Sequence, residues 1–163
     1  MTELKRNVAF ARVWTVQSEA VLPADLADDL TDRGFVPGVI DIAGEGALMN
    51  EVGLADARLT PEGDGLRFVS LSSSKGGGCT VKVKNATDEH DPVPPEGRNA
   101  VRHPRLVYLV EAAGQAHSDR NLCENLAEAL LVRTGGLAEV GGRGVKGNKP
   151  TLYRNRWLGQ IKG

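Results

Sequence analysis

Residues 66–85 read Leu-Arg-Phe-Val-Ser-Leu-Ser-Ser-Ser-Lys-Gly-Gly-Gly-Cys-Thr-Val-Lys-Val-Lys-Asn. In the second half Cys79, Val81 and Val83 alternate with Thr80, Lys82 and Lys84, the period of a strand with one face in water. Ser73 to Gly78 is a turn, which makes Leu66 to Ser72 the strand before it. Upstream, Pro61-Glu62-Gly63-Asp64-Gly65 is a second turn, and it links Ala57 to Thr60 as a third strand. The stretch therefore predicts an antiparallel meander.

Two further strands flank it. Val8 to Val16 places Val8, Phe10, Trp14 and Val16 on one side with Arg12, and Ala9, Ala11, Val13 and Thr15 on the other. Both sides are largely apolar, which predicts a central strand. Arg12, set between Phe10 and Trp14, is either an anion-binding or cation–π position, or an arginine with a partner in the chain. Arg105 to Ala112 is almost continuously apolar and reads as a buried strand. Val39 to Ala43 is a shorter one, followed by a glycine-broken connection from Gly44 to Gly53.

Helical spacing appears twice. Leu22, Leu26 and Leu30 recur every four residues through Pro23 to Arg33, with Pro23 suited to a first turn and Gly34 to the left-handed position after the last. Asp25, Asp28, Asp29 and Asp32 fall on the opposite, solvated side. Ser118 to Arg133 is the second helix, with Leu122, Leu126, Ala129 and Leu130 in its stripe. Ser118 or Asp119 suits its cap, and Gly135-Gly136 its end. The expected architecture is α+β, an antiparallel or mixed sheet of about five to six strands with two main helices packed on one face.

The 163-residue length and the ordinary globular composition, 40% hydrophobic and 25% charged, set one domain as the expectation. Its body spans residues 1–140, followed by a basic, glycine-rich arm over 141–163 that docks at its apolar end. Residues 1–139 hold 14 basic and 21 acidic side chains, whereas 140–163 hold six basic and none acidic. Net charge is thus −7 on the body and +6 on the arm. Met1 to Arg12 is too short and interrupted for the apolar part of a signal peptide, and no apolar run reaches bilayer length. A cytoplasmic protein with no membrane association is expected. Cys79 and Cys123 could form one bridge, but their spacing marks no disulfide framework or zinc ribbon, and buried free thiols are the expectation.

Candidate chemistry is sparse. Ser74 to Thr80 imitates a phosphate loop, but Cys79 stands where the lysine belongs and a strand follows where a helix is required. His90, His103 and His117 all lie in loops or at element ends. His117 and Asp119 sit at a helix start beyond a buried strand, and with His90 they are the candidates for a hydrolytic site. No spacing matches a metal-ligand pattern, and no metal or cofactor is expected. Ser118 and Cys123 have histidines near them in sequence but no evident base or oxyanion site. In the arm, Arg143, Lys146, Lys149, Arg154 and Arg156 place cations on flexible backbone, and Tyr153 and Trp157 offer stacking surfaces.

The segment of a buried strand, an Asp-started helix and Gly-Gly resembles small cytosolic immunity proteins that neutralise toxins, over roughly a fifth of the chain and without a diagnostic motif. The resemblance implies a binding protein. Charge segregation points the same way, to a non-enzymatic module (an inhibitor, immunity-type protein or complex subunit) with another protein as partner. Nucleic-acid binding through residues 141–157 is the alternative, and a hydrolase around His117 the third reading.

Overall fold

A computed structural model of the chain describes residues 10–42, 46–72, 78–87, 91–114, 116–141, 151–154 and 156–161. Its strands are β1 (Ala11–Thr15), β2 (Pro37–Asp41), β3 (Leu66–Ser70), β4 (Cys79–Asn85), β5 (Leu106–Ala112), β6 (Leu137–Val140), β7 (Thr151–Arg154) and β8 (Arg156–Ile161). The helices are α1 (Pro23–Asp32), α2 (Glu51–Asp56) and α3 (His117–Thr134). Among the described residues, eight strands form one sheet in the order β2-β3-β4-β5-β1-β6-β7-β8. Every neighbouring pair is antiparallel. The α+β expectation holds, with more strands than expected, and β1 is central as its two apolar faces require.

Both long helices lie on one face of the sheet. Leu26 and Leu30 of α1 and Leu122, Leu126 and Leu130 of α3 pack on Val13, Phe68, Val81, Tyr108 and Val110, all buried. Pro23 opens α1, and beyond its C-cap Gly34 takes a φ of 94°. Arg133 of α3 ties the helices together: its Nε donates to Asp29 at 2.6 Å, and Asp25 lies 3.7 Å from the same guanidinium. Two of the four aspartates expected on the solvated side of α1 thus serve the fold. The cap of α3 differs from expectation. The N-cap is Ala116, whose side chain makes no capping bond, because the helix begins one residue earlier than its apolar stripe suggests. At the other end Gly135 closes the helix at φ 63°, and Gly136 follows. A Cβ on Gly136 would stand 1.9 Å from the Trp14 carbonyl oxygen, so only glycine lets the chain turn this closely into β6.

Three local expectations are corrected. Residues 57–60 form no strand, and β3 pairs instead with β2 (Val39 opposite Phe68). Leu59 is buried there without a ladder partner, which explains why its alternation imitates a strand. The glycine-broken connection contains α2, started by the Asn50 side chain accepting from the Gly53 amide at 2.7 Å. Finally, Cys79 and Cys123 are not free thiols. Packing of β4 against α3 brings their Cα atoms to 5.4 Å, and they form a disulfide with both residues fully buried.

Candidate functional site

Strand alternation divides the sheet cleanly. Residues such as Val13, Phe68, Val81 and Tyr108 point to the helices, so Arg12, Trp14, Arg67, Val69, Thr80, Lys82, Lys84, Val107, Leu109 and Glu111 line the second face. Neither long helix covers that face. Its two halves differ.

Over β4, β5, β1 and β6, residues 91–105 lie across the sheet as a strap. Val93 and Val101 pack on Trp14, Val107 and Leu137 in a second apolar cluster, and Trp14 is 1% exposed. The Trp14 indole N–H donates to the Asp91 carbonyl at 2.9 Å. The Asp91 carboxylate accepts from Lys84 at 2.9 Å and from Arg12 Nε at 3.1 Å. Burial pushes this carboxyl upward, but the hydrogen bonds and charges of Lys84 and Arg12 outweigh it and hold the group below its ordinary value. The Ala86 amide donates to the Arg105 carbonyl at 3.0 Å, joining the two ends of the excursion. The long polar loop of the sequence is therefore a packed cover with its own small core.

Over β2, β3 and the start of β4 no described segment covers the face. Val36, Leu48 and Leu71 are 53%, 51% and 52% exposed. Leu48 and Leu71 converge with Val69 on Gly38: a Cβ there would meet Leu48 Cδ2 at 2.8 Å, and Leu71 Cδ2 and Val69 Cγ2 at 3.1 Å. The neighbouring row across the strands is Ile40, Arg67, Thr80 and Glu111. Arg67 is half-buried, and its Nε is buried without an acceptor. Glu111, in the same row, is engaged by Lys82 at 3.9 Å. The outer edge of β2 is closed to an added strand, because Pro37 lacks an amide hydrogen and the Met49 amide donates to the Val39 carbonyl at 2.8 Å. What remains accessible is a face, apolar in the middle with one guanidinium set into it.

The residues singled out in the sequence scatter. Arg12 has partners within the chain, Asp91 and, at 3.7 Å, Glu139. His117 is exposed at the start of α3, and His103 is exposed before the opposite end of β5. A seven-residue strand separates them, roughly 20 Å by the rise of an extended chain. His90 lies outside the described residues. Asp119 is 3% exposed, and its Oδ1 accepts the Gly78 amide at 2.9 Å, so this carboxylate anchors the start of β4 to α3. No group of three or more His, Cys, Asp or Glu suited to a metal ion occurs among the described residues. A cavity of about 300 Å³ beside α2 is lined in part by Asp41, Asp56, Arg58 and Asp64. There the Arg58 guanidinium donates to the carbonyls of Ala55 and Ala57.

Arg143, Lys146 and Lys149 lie outside the described residues. Val140 pairs with Thr151, so residues 142–150 connect two adjacent strands of the sheet. Arg154, Arg156 and Trp157 belong to β7 and β8, and their side chains also lie outside the described residues. Tyr153 packs against the main core, where burial, then the charges of Glu124 and Glu128, raise its phenol above the ordinary value.

Sequence reasoning overlooked Arg67, Leu48 and Leu71. The signal is present in the alternation of Arg67, Val69 and Leu71 against Leu66 and Phe68, but local sequence points to 57–60 as the partner strand, whereas 37–41 pairs there. No protein-family model matches the chain, and the searches of curated proteins and of solved structures found no match either.

Proposed function

We propose that this chain is a non-enzymatic protein-binding module, an inhibitor, immunity-type protein or complex subunit, whose partner seats on the open half of the second sheet face. One observation carries the reading: Leu48 and Leu71, each about half exposed, converge with Val69 around Gly38 on a face that no described segment covers. Contiguous exposed apolar surface of this kind marks interaction sites, and an arginine set among apolar groups is a frequent interface anchor. The test is selection of a displayed library of random linear peptides on the wild-type chain and on a Leu48→Asp, Leu71→Asp variant. Enrichment on the wild type alone, with an unchanged melting temperature in the variant, is expected. Equal enrichment on both eliminates this face.

Nucleic-acid binding through residues 141–157 remains the second reading, favoured by the pairing of Val140 with Thr151, which tethers the cations of 142–150 at both ends. Ending the chain after Val140 would also remove β7 and β8, so neutralisation is the cleaner experiment. Changing Arg143, Lys146 and Lys149 together to Gln should abolish the salt-dependent part of binding to a labelled single-stranded oligonucleotide. Unchanged binding removes the arm from consideration.

No helix among the described residues is long and apolar enough to cross a membrane. On compartment, the Cys79–Cys123 disulfide is the informative feature. Such bridges persist in oxidising compartments and are rare in the cytosol, so we place the working protein where Cys79–Cys123 stays oxidised. Alkylation of native extracts before reduction reads this directly: protected thiols support it, and full alkylation returns the chain to the cytosol.

A further inference from the structure

On β1, β3 and β4 four cations are set on the second sheet face: Arg12, Arg67, Lys82 and Lys84. Three have a carboxylate supplied by the chain itself. Arg12 and Lys84 share Asp91, Arg12 also meets Glu139, and Lys82 meets Glu111. Arg67 has none, although its Nε is the one buried side-chain nitrogen or oxygen among the described residues that lacks a hydrogen-bond partner. It stands between Ile40 and Thr80, with Val69 two residues along its own strand and Leu71 beyond.

A buried donor left without an acceptor is costly. In the covered half of the same face this problem is solved by Asp91, a carboxylate carried on a segment with Val93 close behind it. From this juxtaposition we infer that the open half takes a partner segment that presents a side-chain carboxylate flanked by apolar residues, the carboxylate seated on Arg67. The inference rests on the binding reading above and specifies the partner's chemistry. A cation with Ile40 beside it across the strands and Val69 two residues along its own, and with Leu71 and Leu48 further along the same face, suits one carboxylate with apolar neighbours. It does not suit a polyphosphate chain, which needs several cations along its track. Because the Val39 carbonyl is already taken by Met49, the segment lies on the face rather than extending the sheet edge.

The experiment uses the full chain and peptides from the displayed library. Sequences selected on the wild type should share an Asp or Glu between apolar residues. A synthetic consensus peptide should bind about tenfold more weakly when its carboxylate is changed to the amide, and it should shift the Arg67 Nε–H resonance where the amide peptide does not. Arg67→Gln should bind the two peptides equally and retain the apolar-dependent affinity. Enrichment of peptides without a carboxylate, a tenfold preference that survives Arg67→Gln, or no enrichment at all overturns the inference. Self-association of the chain that Leu71→Asp abolishes overturns it too, by making a second copy the occupant. Leu71→Asp tests the binding reading separately: if it leaves peptide binding intact the face itself is wrong, whereas a failure confined to Arg67→Gln removes the carboxylate alone.

Discussion

The two halves of the second sheet face belong to one sheet, meet at β4 and are treated differently. Where residues 91–105 cross it, Trp14 is almost wholly buried and each cation meets a carboxylate; beyond the strap, Leu48 and Leu71 stand half exposed and Arg67 meets none. The difference teaches what a covering segment must bring to this sheet, namely apolar side chains and one acid. Among the described residues the chain supplies both over one half and neither over the other.

Substitutions that probe each half should separate them widely. Trp14→Ala removes the centre of the covered cluster and strands the Asp91 carbonyl, and should cost about 3–5 kcal/mol in denaturant unfolding. A value near that of a surface change would break the comparison, since the strap would then be holding nothing. Next in size is the disulfide, which lies on the helical side beneath both halves. Reduction, or joint replacement of Cys79 and Cys123 by Ala, should cost about 4 kcal/mol on the chain-entropy model for a 44-residue separation. Peptide binding by the open half should survive this change under conditions where the protein stays folded.

Asp91→Asn weakens the pin of the strap, by about 1–2 kcal/mol. The pH dependence fixes its sign. The folded carboxyl titrates below its unfolded value, so its contribution is fully present above about pH 4 and is lost as pH falls through the lowered folded value. Wild-type Trp14 fluorescence should report loosening in acid, and Asp91→Asn should flatten that part of the profile. The smallest effect belongs to the open half: Leu71→Ala should change stability by no more than about 0.5 kcal/mol. A larger loss would mean that this surface is part of the core rather than a docking face.

Reading of the sequence succeeded where periodicity is local and long. The leucines of α1 and α3, the alternation of β4 and the apolar run of β5 each announce their element without reference to anything distant. It failed where an element is short or lacks an apolar stripe. Helix α2 has six residues, none of them buried, and β6 has four between Gly136 and Gly141. The site was harder still. Whether Arg67 has a partner depends on which strand lies beside it and whether a loop reaches over it, and neither is written near residue 67. Asp91 carries the same lesson from the other side, since nothing around it in sequence points to Arg12, 79 residues away. The disulfide likewise arises from how β4 meets α3, not from any spacing of the two cysteines.

The hydrogen bond between Ala86 and Arg105 makes the strap enter and leave the sheet at one point. Seen from the frame of β4 and β5, everything between those two residues is a cassette that can be exchanged without moving either strand, because closing a longer or shorter loop at a fixed junction changes its entropy only slowly with length. A variant with a short turn in place of residues 87–104 would uncover Trp14, Val107 and Leu137, separated from the existing patch by the Thr80, Lys82 and Lys84 row of β4. The same scaffold thus holds a second binding geometry in reserve, separated from the present one by a single loop replacement.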